Sequence, residues 1–240
     1  MATEVITDAA TVGPGHPFHV AVVFKCEPGW HVYWKNPGDS GAPPSVSLRL
    51  PNGFRATEFE FPCPKVLQEH GETNYVHDGE FALVATVTPP VDAGAAPAKL
   101  TLSANWMVCK QLCVMGSREH AVEVATSGAA DPRIARFVAA LPRPAADFGV
   151  TARVEHDVLV ISSRAAPAAF IPATTPGVAY GSPTTETRDG AAITRVPLTV
   201  TPQNSLGKPL VAAGAVVIDN KAVPAVFTEV SVPVAQAAGH

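Results

Sequence analysis

Short runs of alternating apolar and polar residues, each closed by Pro, Gly, Asn or Asp, recur along the chain. One run, HPFHVAVVFKCEPG, alternates through His19–Phe24 and ends at the turn signal Pro28–Gly29. With 24 prolines and 18 glycines among 240 residues, the chain favours many short strands over long helices. Further runs of this kind in the first half are SVSLRLP, EFALVATVTPP, KLTLSANWMV and REHAVEVATSG. This half therefore predicts an antiparallel β-sandwich.

Two longer segments interrupt the series of strands. The first, GWHVYWKNPGDSGAPP over Gly29–Pro44, packs three aromatic residues beside a Pro/Gly-rich turn. The second, FPCPKVLQEHGETNYVHDGE over Phe61–Glu80, is long and mixed in character. We interpret both as loops, which in compact domains tend to be functional or mobile. A structural role for their aromatics, capping the ends of the core, stays open.

A change of pattern near Ser127–Asp131 predicts a domain boundary. Asp131 suits a helix N-cap and Pro132 the first helical position, and apolar residues then follow at helical spacing up to Leu141. We expect a short helix packed between two domains, 1–127 and 128–240. Strand patterns resume beyond it in VTARVEH, DVLVISS, AAITRVPLTV, AGAVVIDN and AVFTEVSV. The second domain has no cysteine, and we expect it to be a β-sandwich that serves as scaffold or docking surface.

Charge and hydropathy exclude several classes of protein. The formal net charge is −4 and there is no basic run, which argues against a nucleic-acid partner. No apolar run approaches the roughly 18 residues of a membrane span. The first residues lack the pattern of a signal peptide, so Met1 begins either a cytosolic protein or a chain trimmed of its export signal. Four cysteines, two of them close together, favour an oxidising compartment.

The cysteine pair lies in WMVCKQLCVMG, between two predicted strands. Even positions from Leu100 to Val108 are apolar and predict the buried face, which puts Cys109 on the outward face. Cys113 shares the parity of outward residues on the returning strand. Both sulfurs are thus expected on one accessible face, joined by the three-residue hairpin loop 110–112.

Geometry and energetics favour an exchangeable pair over a structural one. Opposed residues of an antiparallel ladder lie close enough for a disulfide, at about 4.5 Å between Cα atoms. Loop entropy makes this bridge worth only ~2 kcal/mol, against ~4 kcal/mol for a bridge from Cys26 to Cys63. An exposed disulfide that closes a short ring is also easier to reduce. The adjacent Lys110 would favour the thiolate form of Cys109.

Two alternatives remain beside the exchangeable dithiol. One is a structural disulfide. The other is a Cu(I) site built from Cys109, Cys113 and Met115, with His77 or His120 as a further ligand, because thiolate and thioether sulfurs suit Cu(I). Met115 is apolar and could instead fill the core. A zinc site from all four cysteines is disfavoured by the unpaired spacing of the other two.

Four motifs taken together carry a family resemblance. In order, GWHVYWKNPGDSGAPPSV, FPCPKVL, NYVHDGE and WMVCKQLC resemble the N-terminal periplasmic domain of the DsbD family of thiol:disulfide reductases over about residues 10–126. The ScsB (suppressor of copper sensitivity) branch is the closer likeness. The second half resembles, more weakly, the extra β-domain of that branch.

The resemblance implies an immunoglobulin-like sandwich in the periplasm, either a soluble relative or an excised arm of a membrane protein. It implies a Cys109/Cys113 dithiol that takes electrons from a membrane-embedded reductase domain. The acceptors would be periplasmic thioredoxin-like or peroxiredoxin-like proteins, and no cofactor is needed. The residues expected around the pair are Tyr33, Trp34, Asn36, Tyr75, His77, Trp106 and Lys110.

This sequence also departs from the family pattern. The best-known domain of that family separates its two cysteines by five residues, whereas three lie between Cys109 and Cys113. In that domain the second cysteine makes the intermolecular bond, which by analogy favours Cys113. Cys26 and Cys63 are additional to the pattern, and we interpret them as a candidate second disulfide.

Overall fold

The computed structural model describes residues 1–9, 12–93, 97–124, 130–164, 169–201, 210–217 and 226–232, with the backbone alone described at 210 and 226–232. The chain divides into two compact units, Met1–Leu141 and Pro142–His240. Residues 125–129, where the sequence predicts the domain boundary, lie outside the described residues. The domain limits of 127 and 128 therefore stay a prediction.

The first unit consists of β-strands and a short helix. Two antiparallel sheets form, in the strand orders β1-β2-β8-β5 and β10-β9-β3-β7-β6, and β4 also pairs with β9. The elements are β1 (Ala2–Thr7), β2 (Phe18–Lys25), β3 (His31–Gly38), β4 (Ser45–Arg49), β5 (Arg55–Ala56), β6 (Lys65–Glu69), β7 (Glu72–Asp78), β8 (Glu80–Thr88), β9 (Ala98–Cys109), β10 (Cys113–Val124) and α1 (Ile134–Ala139).

The core of this unit lies between the two sheets. Phe24 of β2 stacks on Phe81 of β8 at 5.1 Å between ring centroids and meets Trp106 of β9 edge-on at 5.9 Å. The predicted parity of β9 is confirmed, because its even positions are buried in this core: Leu100, Leu102, Ala104, Trp106 and Val108. Side chains at odd positions of β9 therefore lie on the outer face of the second sheet.

Both predicted loops contain strands, which corrects the sequence interpretation. Segment Gly29–Pro44 contains β3, and segment Phe61–Glu80 contains β6 and β7. In β3, three consecutive residues, Val32, Tyr33 and Trp34, are all buried. A strand covered on both faces has no polar side to alternate with, so the period-two pattern that identifies half-exposed strands is missing.

The helix α1 covers the outer face of the first sheet. Ile134, Phe137 and Leu141 are buried against residues of β1, β2 and β8, namely Ile6, Ala21, Val23, Ala82 and Val84. Asp131 was expected as the N-cap, but the regular helix begins only at Ile134. The carboxylate of Asp131 instead accepts the backbone N–H of Arg133 at 2.9 Å and stabilises the turn before the helix.

The second unit is also built from β-strands. Its sheets have the orders β11-β19-β18-β14 and β12-β13-β17-β15, and β16 also pairs with β17. The elements are β11 (Arg143–Pro144), a 3-10 turn (Ala145–Phe148), β12 (Thr151–Glu155), β13 (Val158–Ser163), β14 (Ala169–Pro172), β15 (Val178–Tyr180), β16 (Thr184–Arg188), β17 (Ala191–Val200), β18 (Leu210–Val217) and β19 (Val226–Val232).

The predicted fold class is confirmed. Every strand pair in the described part of the chain is antiparallel except the short pair of β11 with β19, which is parallel, and β19 also pairs antiparallel with β18. The core of the second unit contains Leu159, Ile161, Phe170, Val196 and Val216. No helix in the described part of the chain is long and apolar enough to cross a membrane.

The turn that follows β3 is hydrogen-bonded to β7. The pairing of β3 with β7 changes register between Tyr33 and Gly38, and Gly38 has a φ of +90°. The backbone N–H of Asp39 donates to the Thr73 carbonyl at 3.0 Å, and that of Ser40 donates to the Asn74 side chain at 3.0 Å. A Cβ on Gly38 would collide with the backbone of Thr73 and Asn74.

Gly38→Ala is expected to destabilise the first unit more than Gly71→Ala does. Both glycines have positive φ, at +90° and +84°, but only Gly38 faces backbone at the Cβ position. The strained φ should cost each variant about 1 kcal/mol, and the collision should cost Gly38→Ala about 2 kcal/mol more. Urea unfolding of the two variants measures the difference, and equal losses would show that the turn relaxes freely.

His77 on β7 is buried and stacks on Phe81 at 4.5 Å between ring centroids. Among the described residues its Nε2 has no hydrogen-bond partner. Burial lowers the pKa of His77 to about 3, more than the neighbouring Asp78 raises it. The native state therefore holds a neutral imidazole where the unfolded chain would take up a proton near pH 6.5.

Acid is expected to destabilise the first unit through His77. Because the unfolded state binds the extra proton, the free energy of unfolding should fall as pH drops below about 6.5, by about 2 kcal/mol between about pH 7 and pH 5. His77→Phe, which keeps an aromatic ring against Phe81, should remove this part of the loss. His70→Phe, at the exposed tip of the β6–β7 hairpin, is the matched control and should keep it. Urea unfolding at both pH values provides the measurement, and an undiminished acid loss in His77→Phe would contradict the assignment.

Candidate functional site

The hairpin of β9 and β10 brings the two close cysteines together. Cys113 is the register partner of Cys109, and their Cα atoms lie 4.1 Å apart. The two sulfurs form a disulfide. The loop of three residues turns tightly, since the backbone N–H of Lys110 donates to the Leu112 carbonyl at 3.1 Å. The predicted hairpin and its three-residue loop are therefore present.

The two sulfurs differ in exposure, which corrects half of the sequence prediction. Both cysteines lie on the outer face of the sheet, as their parity requires. Cys113 is exposed as expected, but Cys109 is only 3% exposed. Cys109 belongs to a small hydrophobic group, here called the outer-face cluster, which consists of Tyr33, Leu67, Val76, Met107 and Cys109.

The strands beside β9 explain this burial. Residues at the start of β3 pair with the end of β9, and β7 pairs with the far side of β3. This order brings Tyr33 and Val76 onto the outer face beside Cys109. The turn at the end of the hairpin extends past these strands, and Cys113 stays open there. One sulfur is thus shielded by its own domain and the other faces solvent.

His31 lies directly opposite Cys109 and was not among the predicted site residues. It is the register partner of Cys109 on β3, and its ring meets Tyr33 edge-on at 5.3 Å. Burial lowers its pKa, and the carboxylates of Glu69 and Asp78 oppose that shift. The signal was available in HVY, where His31 and Tyr33 share a face once the segment is recognised as a strand.

A groove of about 820 Å³ lies beside the hairpin. His31, Val76 and Lys110 contribute to its walls, and the remaining lining residues are Gly29, Trp30, Leu67, Glu69, His70, Asp78 and Gln111. The ammonium of Lys110 donates to the Pro28 carbonyl at 3.4 Å, which holds it at the wall formed by the turn after β2. The groove combines apolar walls with charges of both signs next to the disulfide.

Most other residues expected around the pair lie on the opposite face of the sheet. Strand alternation directs Trp34, His77 and Trp106 toward the sandwich interior, where all three are buried. Tyr75 is half-buried and meets Trp34 edge-on at 6.3 Å. Asn36 accepts the backbone N–H of Gly38 at 3.1 Å and stabilises the turn after β3. Of the predicted surround, Tyr33 packs with Cys109 and Lys110 adjoins it, whereas the others support the sheet.

The candidate second disulfide is not formed, because Cys26 and Cys63 are both free thiols. Cys26 packs against the core of the first unit. Cys63 lines a separate pocket of about 300 Å³ with His77 and Phe137, and its thiol donates to the Pro64 carbonyl at 3.7 Å. Burial raises the pKa of each thiol to about 11, which keeps both protonated at neutral pH.

The histidines suggested as copper ligands do not reach the sulfurs' face. His77 lies toward the interior, and His120 pairs with inward-facing Leu102. The ring of His120 is hydrogen-bonded to the hydroxyl of Thr3 at 3.0 Å between Nε2 and Oγ1. Within the described ranges, no group of three or more His, Cys, Asp and Glu side chains is arranged to hold a metal ion. A Cu(I) site that uses His77 or His120 as a ligand is thus wrong for this fold.

Comparison with solved structures finds a protein with a similar fold. The N-terminal periplasmic domain of ScsB from Proteus mirabilis superposes with a TM-score of 0.59 at 14% identity, over 98% of this chain and 93% of that one. The sporulation control protein Spo0M from Bacillus subtilis reaches a TM-score of only 0.25 at 10% identity, over 67% of this chain and 77% of that one. A comparison with curated protein sequences found no match.

A protein-family model matches the part of the chain that contains the disulfide. The family described as "Thiol:disulfide interchange protein DsbD, N-terminal" matches residues 3–124, which make up just over half of the chain and include both bonded cysteines. The match ends at the last residue of β10. The chain therefore belongs to the family of DsbD N-terminal domains, as its four motifs and its β-sandwich indicate.

Proposed function

We propose that this chain is an electron-relay domain in the periplasm. It accepts two electrons at a time from a membrane-embedded reductase domain and passes them to thioredoxin-like or peroxiredoxin-like proteins. The observation that carries the proposal is the Cys109–Cys113 disulfide at the tip of a hairpin, with one sulfur exposed and one buried, in a member of a thiol:disulfide interchange family. A structural staple would not need one accessible sulfur.

The difference in exposure supports a division of roles between the two sulfurs. A donor thiolate attacks the exposed sulfur of Cys113, the Cys109–Cys113 bond breaks, and Cys109 leaves as a thiolate. The donor's second thiolate then attacks the mixed disulfide at the donor's own sulfur and releases Cys113. The domain ends as a dithiol after taking up two protons, and the donor ends as a disulfide.

Transfer to an acceptor runs the same steps in the opposite direction. The Cys113 thiolate attacks the acceptor's disulfide and forms a mixed disulfide. Cys109 then attacks the Cys113 sulfur, closes the internal bond and releases the reduced acceptor. The hairpin holds Cys109 next to Cys113, with 4.1 Å between their Cα atoms, so the internal attack that closes the bond is favoured by proximity. Cys109 is therefore assigned as the resolving sulfur and Cys113 as the exchanging sulfur.

The surface around Cys113 is suited to contact with another protein. Leu112, which precedes Cys113 in the turn, is 62% exposed, and Met115, on the same face of β10 as Cys113, is 71% exposed, so exposed apolar side chains lie near the exchanging sulfur. The groove beside the hairpin adds His31, Lys110 and a wall of apolar residues. A partner that presents its own dithiol on an apolar surface would cover this tip. The second unit is proposed as a scaffold or docking surface for the same assembly.

Mixed-disulfide trapping tests the assignment of the two sulfurs. Cys109→Ala leaves the exposed Cys113 thiol without its resolving partner, so a covalent complex with a thioredoxin-like acceptor should accumulate. Cys113→Ala leaves only the shielded Cys109 thiol and should trap at least about tenfold less. Non-reducing gel electrophoresis after incubation with a periplasmic thioredoxin-like protein measures both yields.

Two results would contradict the relay proposal. One is an absence of trapping by either variant together with a wild-type disulfide that resists mild reductant, since that combination describes a structural bridge. The other is trapping that depends on Cys26 or Cys63. The Cys26→Ser/Cys63→Ser double variant is the matched control, and it should exchange with the same partner at the wild-type rate.

Tyr33→Ala should expose the resolving sulfur. Tyr33 packs against Cys109 in the outer-face cluster, so its truncation opens a path to that sulfur. In the reduced wild type, iodoacetamide should alkylate Cys113 at least about tenfold faster than Cys109, and the ratio should shrink in Tyr33→Ala. Tyr75→Ala is the control. It also truncates a tyrosine, but Tyr75 contacts Trp34 on the opposite face of the sheet, so the ratio of the two alkylation rates should stay at its wild-type value. Mass spectrometry of timed samples gives both rates, and equal alkylation of the two cysteines in wild type would refute the shielding of Cys109.

A further inference from the structure

Two sulfur pairs follow one another along the β9–β10 hairpin. Cys109 pairs with Cys113, and two residues further from the turn Met107 pairs with Met115. All four positions share one parity, so all four side chains lie on the outer face of the sheet. The outer face of the hairpin therefore carries two cysteine and two methionine side chains in adjacent register pairs.

The spacing of these positions suits a single binding site. Opposed residues in an antiparallel ladder have Cβ atoms about 4.5–5.5 Å apart, and successive residues on one face lie about 7 Å apart along the strand. Methionine is unbranched and has three rotatable side-chain bonds, so its sulfur can reach toward a neighbour at that distance. Met107 already packs against the outer-face cluster that contains Cys109.

The exposure of Met115 needs an explanation other than core packing. Its side chain is 71% exposed, which excludes the role of filling the interior that its sequence context allowed. It faces solvent directly beside the exposed Cys113. An apolar, polarisable side chain held open next to a thiol is suited to binding a soft ligand.

The chemistry of the four side chains selects one class of ion. Thiolate and thioether sulfurs are soft ligands that favour Cu(I), whereas carboxylate and carbonyl oxygens suit Mg²⁺, Ca²⁺ and Mn²⁺. The set contains no carboxylate. Its two histidine candidates lie on the other face of the sheet or are bonded to Thr3. A site made only of sulfur has little to attract a hard cation.

We propose that the reduced hairpin binds one Cu(I) ion through Cys109, Cys113, Met107 and Met115, and that the disulfide form does not. Reduction of the disulfide by a phosphine or a dithiol takes two electrons and two protons and yields two thiols. Cu(I) then displaces both thiol protons, and the two thioethers bind as neutral ligands. The ion is not oxidised or reduced in this step.

Copper binding and thiol exchange then compete for the same two sulfurs. A bound ion holds both cysteines as ligands and prevents Cys113 from attacking a partner's disulfide. Oxidation of the pair by a small-molecule disulfide, which takes up the two electrons and two protons and becomes two thiols, leaves only two thioethers and releases the ion. The inference rests on the hairpin geometry and on chemical reduction, and it does not require electron transfer with any protein partner.

Titration with Cu(I) under anaerobic conditions tests the site. The protein is reduced with a phosphine, freed of the excess reductant, and titrated with Cu(I) against a chromogenic Cu(I) chelator. The Cys26→Ser/Cys63→Ser double variant serves as the parent, since it lacks the two free thiols elsewhere in the first unit. One equivalent should bind to the reduced parent and none to its disulfide form.

Methionine variants identify the ligands. Met107→Leu and Met115→Leu preserve size and apolarity and should each weaken Cu(I) binding by at least about tenfold, with a larger loss when combined. Ala121→Leu, on the outer face of β10 but away from the four sulfurs, is the matched control and should bind as the parent does. X-ray absorption of the loaded parent should report four sulfur neighbours around copper. Circular dichroism of each variant confirms that it is folded.

The outcomes separate this inference from the relay function. Binding unchanged in the Met107→Leu/Met115→Leu variant, or a copper ion with only two sulfur neighbours, would overturn the four-sulfur site. Failure of copper binding beside successful mixed-disulfide trapping would overturn the copper site and leave the relay intact. Four-sulfur copper coordination in a protein that traps no partner would support the copper site and count against the relay.

Discussion

The first unit depends on the way β9 is buried in the middle of its sheet. This strand pairs with β10 on one side and with both β3 and β4 on the other. Its even-numbered side chains fill the sandwich, and Trp106 among them meets Phe24 from the facing sheet. Burying that apolar surface holds β9 in one orientation, because a slip of one residue would move every side chain to the other face. The positions of both cysteines follow from this constraint.

The asymmetry of the disulfide comes from the neighbours of β9. The outer-face cluster covers Cys109, while Cys113 lies beyond the reach of β3 and β7 at the hairpin turn. One bond thus joins a shielded sulfur to an open one. That arrangement suits sequential exchange, in which one sulfur meets the partner and the other closes the bond afterwards. It also leaves Met107 partly buried and Met115 exposed beside the same disulfide.

Motif residues near the cysteines in the sequence serve two different purposes in the fold. Tyr33 and His31 belong to the site, because they share the outer face with Cys109. Strand alternation places Trp34 and His77 on the inner face of the sheet, where both are buried. The buried His77 makes the stability of the first unit dependent on pH, since its imidazole stays neutral only while the sandwich is closed around it. Proximity along the chain is therefore a poor guide to proximity to the sulfurs.

The sequence by itself determined the all-β class, the hairpin, the parity of β9 and the pairing of Cys109 with Cys113. Each of these depends on local spacing, and a period of two is visible within a single strand. Only the tertiary structure decided that Cys109 is buried, that His31 faces it, and that Cys26 and Cys63 stay free. The burial of Cys109 and the position of His31 depend on β3, β6 and β7, whose sequences predict loops. β3 is buried on both faces and β6 is largely exposed, so neither shows the period-two pattern that identifies a half-buried strand in a sequence.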